Sequence, residues 1–202
     1  MRSRPVPLAL LLGSLALAAC GDGGPRVAVR ADVDGAPVAD LPVRLLPYDR
    51  DELLDSLAKA ADDPEPAIPP ELLQQLQGLA AEEQAARQRG DTALARFQAV
   101  RRAVFARADS LRAARRAWAQ EAFAPFDSLA AARAENADRE ELADTTDASG
   151  TVDFGAEPGR WWVYARYTLP YSELYWNFPV QVTGDSTVVR LSRANAKERP
   201  FL

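Results

Sequence analysis

The order of strand-forming and helix-forming composition along the chain constrains the fold more than any other feature. Residues 26–48 and 145–192 alternate apolar with polar residues and are rich in β-branched and aromatic side chains, which predicts about six short strands. Residues 49–144 consist largely of alanine, arginine, glutamate, glutamine and leucine, which favours helices. The pattern therefore predicts an α+β protein whose strands are interrupted by a long helical insertion, with residues 193–202 as a C-terminal tail.

Proline and glycine residues divide the predicted insertion. The prolines between residues 62 and 70 break any helix, whereas Pro70 itself suits a first helical turn. Gly90 ends the second predicted helix, and Pro125 kinks or ends the third. We expect helices that start near Arg50, at Pro70, at Asp91 and after Pro125.

The third predicted helix carries an apolar seam, because its large apolar residues recur every seven positions. These residues are Phe97, Val104, Leu111 and Trp118. The second helix can cover part of the seam with its leucines, but its second half offers mainly alanine and charged residues. Because exposed apolar stripes are usually interfaces, we expect the seam to contact a partner protein or a second copy of the chain.

The N-terminus predicts export and a lipid anchor. A basic start precedes an apolar run that is shorter than the about 20 residues needed to span a bilayer, which is typical of a signal peptide. The run ends in Leu17-Ala18-Ala19-Cys20, which resembles the bacterial lipobox, whose cysteine is lipidated and becomes the new N-terminus. We expect a signal peptide over residues 1–19 and a lipidated tether over residues 20–25.

Lipidation of Cys20 implies a membrane-anchored lipoprotein of the bacterial cell envelope. Two or more acyl chains are needed to make such an anchor stable. The residue after the cysteine is Gly21 and not the aspartate associated with retention in the inner membrane. In a Gram-negative cell we therefore expect the outer membrane.

Charge and residue types exclude several classes of function. Removal of residues 1–19 takes away two arginines and no acid, so the formal net charge moves from −5 to −7 and gives no general attraction to nucleic acid. The chain contains no histidine, which excludes Ser-His-Asp and Cys-His catalysis. Cys20 is the only cysteine, so neither a disulfide nor a zinc site is expected. We expect no metal and no cofactor.

Two blocks of sequence resemble one known family. Residues 27–46, VAVRADVDGAPVADLPVRLL, are similar to the opening hairpin of carboxypeptidase regulatory-like domains, which are also called transthyretin-like. Residues 145–165 resemble the central block of that family, in which a turn, a strand, a Pro-Gly turn and an aromatic strand follow one another. The turn positions are Gly35, Asp147, Gly150, Pro158 and Gly159.

The resemblance implies a transthyretin-like antiparallel β-sandwich over residues 26–48 plus 145–192. In the family the second and third strands are joined by a short loop, whereas here the helical insertion of residues 49–144 intervenes. Such domains assist folding, docking or ligand contact and are not themselves the carboxypeptidase. The resemblance therefore implies an interaction or structural module.

Three short motifs raise catalytic or metal-binding alternatives. Ser56 and Lys59 match the S-x-x-K motif of serine β-lactamases, but no Lys-Thr-Gly motif follows. The Gly-Asp-Ser sequence at residues 184–186 is similar to a hydrolase block that requires a histidine. Three aspartates could hold calcium, but turn chemistry explains them better; they are Asp32, Asp34 and Asp147. We expect no enzyme.

The strands after residue 160 are dense in aromatic residues, which leaves two interpretations open. Aromatic rings could bind a glycan by stacking, and the candidate surface is Trp162, Tyr164, Tyr171 and Tyr175. Alternatively, one alternate set fills the sandwich while Trp162 and Tyr164 lie beneath the helices. We favour a non-enzymatic envelope lipoprotein that contacts proteins, with ligand binding as the alternative.

Residues 96–116 hold seven arginines and a single acid, Asp109. Such an arm beside a membrane could contact anionic lipid. Arginine supplies 22 of the 24 basic residues of the whole chain, however, so its frequency here partly reflects the overall composition. We therefore expect these arginines to form a solvent-exposed face of the helix.

Overall fold

The computed structural model describes residues 24–184 and 186–200. The predicted signal peptide, the lipidation site Cys20 and the first part of the tether lie outside the described residues, as does Asp185 of the predicted turn.

The described residues form four α-helices and nine β-strands, which confirms the predicted α+β class. The strands are β1 Arg26–Val33, β2 Ala36–Pro37, β3 Pro42–Leu46, β4 Leu142–Thr145, β5 Thr151–Gly155, β6 Gly159–Thr168, β7 Ser172–Val182, β8 Ser186–Ser192 and β9 Lys197–Pro200. The helices are α1 Arg50–Ala60, α2 Pro70–Arg89, α3 Asp91–Ala122 and α4 Phe126–Asn136. All four helices lie between β3 and β4 in the chain.

The strands form two sheets. In the first sheet, β1 pairs with β8 along one side and with β5 and then β2 along the other. The second sheet has the order β4-β3-β6-β7-β9 and is antiparallel throughout.

The two sheets share one hydrophobic core. Alternate residues of β1, β3, β5, β6, β7 and β8 point into it, because successive side chains of a strand face opposite sides. The largest of these side chains belong to Trp161 and Trp176, which are 2% and 1% exposed. Their indole N–H groups donate to the backbone oxygens of Glu157 and Ser192, so neither polar group is buried without a partner.

The helices form a separate layer on the other face of the second sheet. Leu46 and Tyr48, at the end of β3, form a small core with Leu53 of α1 and Ala130 of α4. The leucines of α2 form a third core with α3 and with Tyr171, which lies in the loop between β6 and β7. The second sheet is therefore covered on both faces.

Two segment boundaries and one strand pairing differ from the prediction. The strand β4 lies partly inside the segment assigned to the helical insertion, because residues 142–145 pair with β3 as an edge strand. The segment assigned to a C-terminal tail contains β9, which pairs with β7. The pairing of β1 with β8 is parallel, whereas an antiparallel sandwich was expected. Each of these strands is short or is paired across a long sequence distance, so local composition does not reveal it.

Candidate functional site

The start of α1 is fixed to the outer face of the second sheet. The Asp49 side chain caps the helix by accepting hydrogen bonds from the backbone N–H groups of Asp51 and Glu52, at 3.0 and 3.4 Å. The same carboxylate accepts a bond from the side-chain amide of Asn177 on β7, at 2.8 Å. The Asp49 side chain that caps α1 therefore also makes a long-range contact with β7.

A second polar contact joins α1 to β7 and β9. The hydroxyl of Tyr175 donates to Asp51, and the Lys197 ammonium group lies 2.8 Å from the same carboxylate. Burial alone would raise the pKa of Asp51, but the hydrogen bonds from Lys197 and Tyr175 lower it on balance. Burial and the Asp51 hydrogen bond raise the pKa of Tyr175. This group of residues was not predicted, because Asp51 lies more than 100 positions from both Tyr175 and Lys197 in the chain.

The aromatic residues predicted as a ligand surface do not form an open patch. Tyr171 and Tyr175 are buried, at 8% and 2% exposure. Trp162 and Tyr164 are half-buried against the small core between α1, α4 and the second sheet. The Arg50 guanidinium group lies 4.9 Å from the Tyr164 ring centroid. Of the two interpretations left open by the sequence, the geometry matches the one in which helices cover these rings.

Part of the predicted partner surface is also internal. Phe97 and Val104 are 6% and 4% exposed and pack against the leucines of α2. Leu111 is half-buried beside the same core. These side chains are buried because α2 is long enough to run antiparallel to the whole first half of α3, where it covers the seam. Val100, which flanks the predicted seam, is 51% exposed on the same helix.

Trp118 stands beyond the region that α2 covers. Its indole N–H donates to the backbone oxygen of Asp63 at 2.8 Å, and its ring meets the ring of Phe123 edge to face at 5.2 Å. The side chain remains half-exposed and lines two grooves, described below. Trp118 is thus fixed in orientation and still partly accessible.

Tyr171 attaches the α2–α3 hairpin to the sheets. Its hydroxyl donates to Glu83 of α2, and its ring centroid lies 6.3 Å from that of Phe105 of α3. The Tyr171 hydrogen bond lowers the pKa of Glu83, while burial and Glu83 together raise the pKa of Tyr171. The hairpin continues past this contact for about 9 Å, the length of the six α2 residues 84–89.

Tyr171, which attaches the hairpin, and residues 24–26 lie at opposite ends of the sheets. Arg26 at the start of β1 pairs with Gly155 at the end of β5, and β6 begins four residues later, at Gly159. The ten residues of β6 then run to Thr168 at the far end, about 33 Å away at about 3.3 Å per residue. Tyr171 follows there. The contact that attaches the hairpin is therefore remote from residues 24–26.

The predicted turn residues have structural roles. Asp34 and Gly35 both have positive φ, 56° and 84°, in the tight turn between β1 and β2. Gly150 has φ of 74°, and a Cβ atom there would lie 2.5 Å from the backbone oxygen of Ala31. Pro158 and Gly159 lead into β6. At Gly159 φ is 137° and a Cβ atom would overlap the Arg139 guanidinium group, which donates to the backbone oxygen of Pro158 at 2.6 Å.

The aspartates considered for calcium take part in turns. The Asp147 carboxylate accepts bonds from the Ser149 hydroxyl and from the backbone N–H groups of Ser149 and Thr151, which lower its pKa. Asp32 accepts from the backbone N–H of Gly35 at 3.1 Å. Within residues 24–184 and 186–200, no group of three or more Asp, Glu, His or Cys side chains is arranged to hold a metal ion.

Both residues of the S-x-x-K motif lie on the exposed surface of α1. Ser56 is exposed and donates to the backbone oxygen of Glu52 in its own helix, at 2.8 Å. Lys59 is exposed in the last turn of α1.

Two grooves of opposite charge meet at Trp118. One has a volume of about 300 Å³ and presents the carboxylates of Asp62, Asp63 and Glu121. The other, about 510 Å³, lies between α3 and the second sheet and presents four guanidinium groups and two carboxylates. We call it the arginine groove. A further groove of about 890 Å³ lies between α4 and the loop after β5, and most of its charged groups are acidic.

Comparisons of this chain with protein-family models, with curated proteins and with solved structures give no match. Among the described residues, no helix combines the length and the apolar character that crossing a membrane requires.

Proposed function

We propose that this chain is a non-enzymatic lipoprotein of the bacterial cell envelope that contacts other proteins through its helical hairpin. In this proposal lipid on Cys20 attaches the chain to a membrane, the outer one in a Gram-negative cell. A transthyretin-like β-sandwich carries the α2–α3 hairpin as its contact element. The proposal involves neither catalysis nor a cofactor.

The observation that carries the proposal is the placement of the hairpin. It contacts the sheets through Tyr171, at the end opposite to residues 24–26. A lipid attached a few residues before Gly24 would leave the far end of the hairpin as the part most remote from the attachment point. This placement favours a protein partner over the contact with anionic lipid that the arginines of α3 first suggested.

The accessible apolar residues of α3 support the same proposal. Val100 is 51% exposed near the far end of the hairpin, and Trp118 is half-exposed farther along the helix. Large apolar side chains at such exposed positions are what a protein interface buries. Ligand binding by Trp162, Tyr164, Tyr171 and Tyr175 receives no such support, because helices and sheets cover these rings.

The contact surface can be tested by photo-crosslinking in the cells that make the protein. A photoreactive residue at position 100 should give one adduct of defined mass, either with a partner protein or with a second copy. The matched control is position 129, because Leu129 is also an exposed apolar helical residue, at 41%, but belongs to α4. Equal crosslinking at both positions, or none at position 100, would refute the role of the hairpin.

The anchor is tested separately. The substitution Cys20→Ser should remove acylation and move the protein from the membrane fraction to the soluble or unprocessed fraction. Retention of lipid by the variant, or release of the wild type by salt without detergent, would contradict the lipoprotein assignment. Density-gradient fractionation would then identify the membrane.

A further inference from the structure

The arginine groove has the dimensions and the walls of a small-ligand site. Its volume of about 510 Å³ falls within the range of about 300–1,000 Å³ that is typical of such sites. One wall is the last third of α3, and the other is the outer face of β6 and β7 with Pro200 of β9. The groove therefore forms where the helical layer and the sheet layer meet.

Positive charge predominates in this groove. Its guanidinium groups belong to Arg112, Arg115, Arg116 and Arg166, while its carboxylates belong to Glu65 and Glu173. Asp109 of α3 forms an ion pair with Arg112 at 2.6 Å, and counting it leaves a formal excess of one positive charge, with Arg116 as the guanidinium group outside these pairs. The whole chain carries a formal net charge of −5, so the excess is a local feature. Arginine donors arranged around a concave site recognise phosphate or carboxylate groups.

The ion pairs in the groove orient two of these guanidinium groups without using all of their donors. Arg166 gives two hydrogen bonds to Glu173, at 2.9 Å from Nε and 2.6 Å from Nη2. Arg115 donates to Glu65 and, at 2.7 Å, to the backbone oxygen of Pro66. A guanidinium group has five N–H donors, so each retains donors for another acceptor.

One feature opposes the binding of an anion here. The groove lies near the C-terminus of α3, where the helix dipole places about half a negative charge. This partial charge is smaller than the formal excess of one positive charge, and Arg116 is exposed to solvent on the wall of the groove. The net field in the groove therefore favours anions.

An aromatic wall completes the groove. The rings of Trp118 and Phe123 line it, and their edge-to-face contact at 5.2 Å, with an interplanar angle of 75°, holds both in place. The hydrogen bond from the Trp118 indole to Asp63 prevents the ring from rotating away. A fixed flat ring beside arginine donors suits a ligand that combines a charged group with a sugar ring.

From this geometry we propose that the arginine groove binds an oxyanion carried on a sugar ring, such as a sugar phosphate or a sugar carboxylate. The guanidinium groups of Arg116 and Arg166 contact the oxyanion, and the face of Trp118 contacts the ring. The acidic groove on the other side of Trp118 repels the same anion, so the ligand lies on one side of that ring only.

The proposal can be tested by titration of the full-length processed protein in an uncharged detergent. The probes are glucose 1-phosphate, glucuronate, inorganic phosphate and glucose, and binding is followed by calorimetry. We expect saturable binding of glucose 1-phosphate or glucuronate with a dissociation constant of about 1 mM or lower, weakened by salt. Glucose should bind at least about tenfold more weakly than the charged sugar that binds. Absence of saturation by both charged sugars up to about 10 mM would overturn the proposal.

Matched substitutions on α3 separate a specific site from general charge effects. Arg116→Glu should weaken binding of the charged sugar by about tenfold or more, because it replaces an attractive charge with a repulsive one. Arg102→Glu makes the same change of charge at an exposed position about 21 Å away along the helix and should leave binding unchanged. Equal weakening by both variants would overturn the site.

The role of the ring is tested by Trp118→Leu, with the fold of the variant verified by circular dichroism. We expect weaker binding of the charged sugar and unchanged binding of inorganic phosphate. If Trp118→Leu weakened neither probe while Arg116→Glu weakened both equally, the groove would bind any anion and the proposed sugar contact would be wrong.

Discussion

The paired sheets and the helical block bury their apolar residues in different ways. The core between the sheets draws all of its fully buried members from residues 27–45 and 152–191, and none of them lies in a helix. The helices bury theirs in two smaller groups, and each group includes residues of the strand layer, such as Leu46 or Tyr171. We therefore expect the sheets to fold without the helices, whereas the helices depend on the sheets for part of their packing.

The two pairs of helices also differ from each other. The helices α1 and α4 lie on the second sheet, and polar contacts from Asp49 and Asp51 fix α1 to it. The α2–α3 hairpin contacts the strand layer through Tyr171 and through β9, and Tyr171 is the strand-layer residue that is buried in its core. A segment that makes few contacts with the rest of a protein unfolds locally before the rest does. We therefore expect the hairpin to be the least stable part of the protein.

The largest effect is expected from a change in the core between the sheets. Trp176→Ala removes a side chain that is 1% exposed and should reduce the free energy of unfolding by about 3–5 kcal/mol. Urea denaturation followed by circular dichroism measures this. Strand and helix signals should shift together, because the helices cannot pack without the second sheet. Loss of the strand signal alone would contradict the dependence described above.

A comparable change in the hairpin should have a local effect. Leu76→Ala empties a position that is 2% exposed between α2 and α3 and should destabilise the hairpin by about 2–5 kcal/mol. Amide hydrogen exchange should then show lost protection in α2 and in the first half of α3, with β1 and β6 unchanged. If the strands lost protection equally, the hairpin and the sheets would be one cooperative unit.

Asp51→Asn tests the polar attachment of α1. The variant loses the ion pair with Lys197 and weakens the hydrogen bond from Tyr175, which should cost about 1–3 kcal/mol at neutral pH. The pKa of Asp51 is lower in the folded protein, so its contribution is complete above the ordinary aspartate value of 3.8 and is lost as the pH falls below it. The difference in free energy of unfolding between wild type and variant should therefore become smaller at acidic pH. A difference that is constant with pH would contradict this role.

The smallest effect is expected at the contact that attaches the hairpin. Tyr171→Phe keeps the ring beside Phe105 and removes only the hydroxyl that donates to Glu83. Global stability should change little, while exchange of the α2 amides near Glu83 should increase. The control is Tyr167→Phe on β6, a half-buried tyrosine packed against the core between the sheets. The same increase in the control would show that the Glu83 contact does not attach the hairpin.

The sequence determined the helices and the longer strands, because their signals are local. Alternation of side chains located β1, β6 and β7, and the proline and glycine positions located the ends of α1, α2 and α3 to within a few residues. The φ angles of Gly35, Gly150 and Gly159 explain why turns occur at these positions.

Only the tertiary structure decided which side chains meet. The partners of Asp51, Lys197 and Tyr175, come from strands more than 100 residues away, and the four arginines of the arginine groove come from α3 and β6. Strand alternation predicted that Trp162 and Trp161 face opposite sides, but not that α1 and α4 cover Trp162. Whether a side chain is buried depends on how separate elements pack, and that packing involves residues that are far apart in the sequence. The sequence therefore predicted the helices and the longer strands, while the exposed part of α3 and the arginine groove became visible only when these elements were packed together.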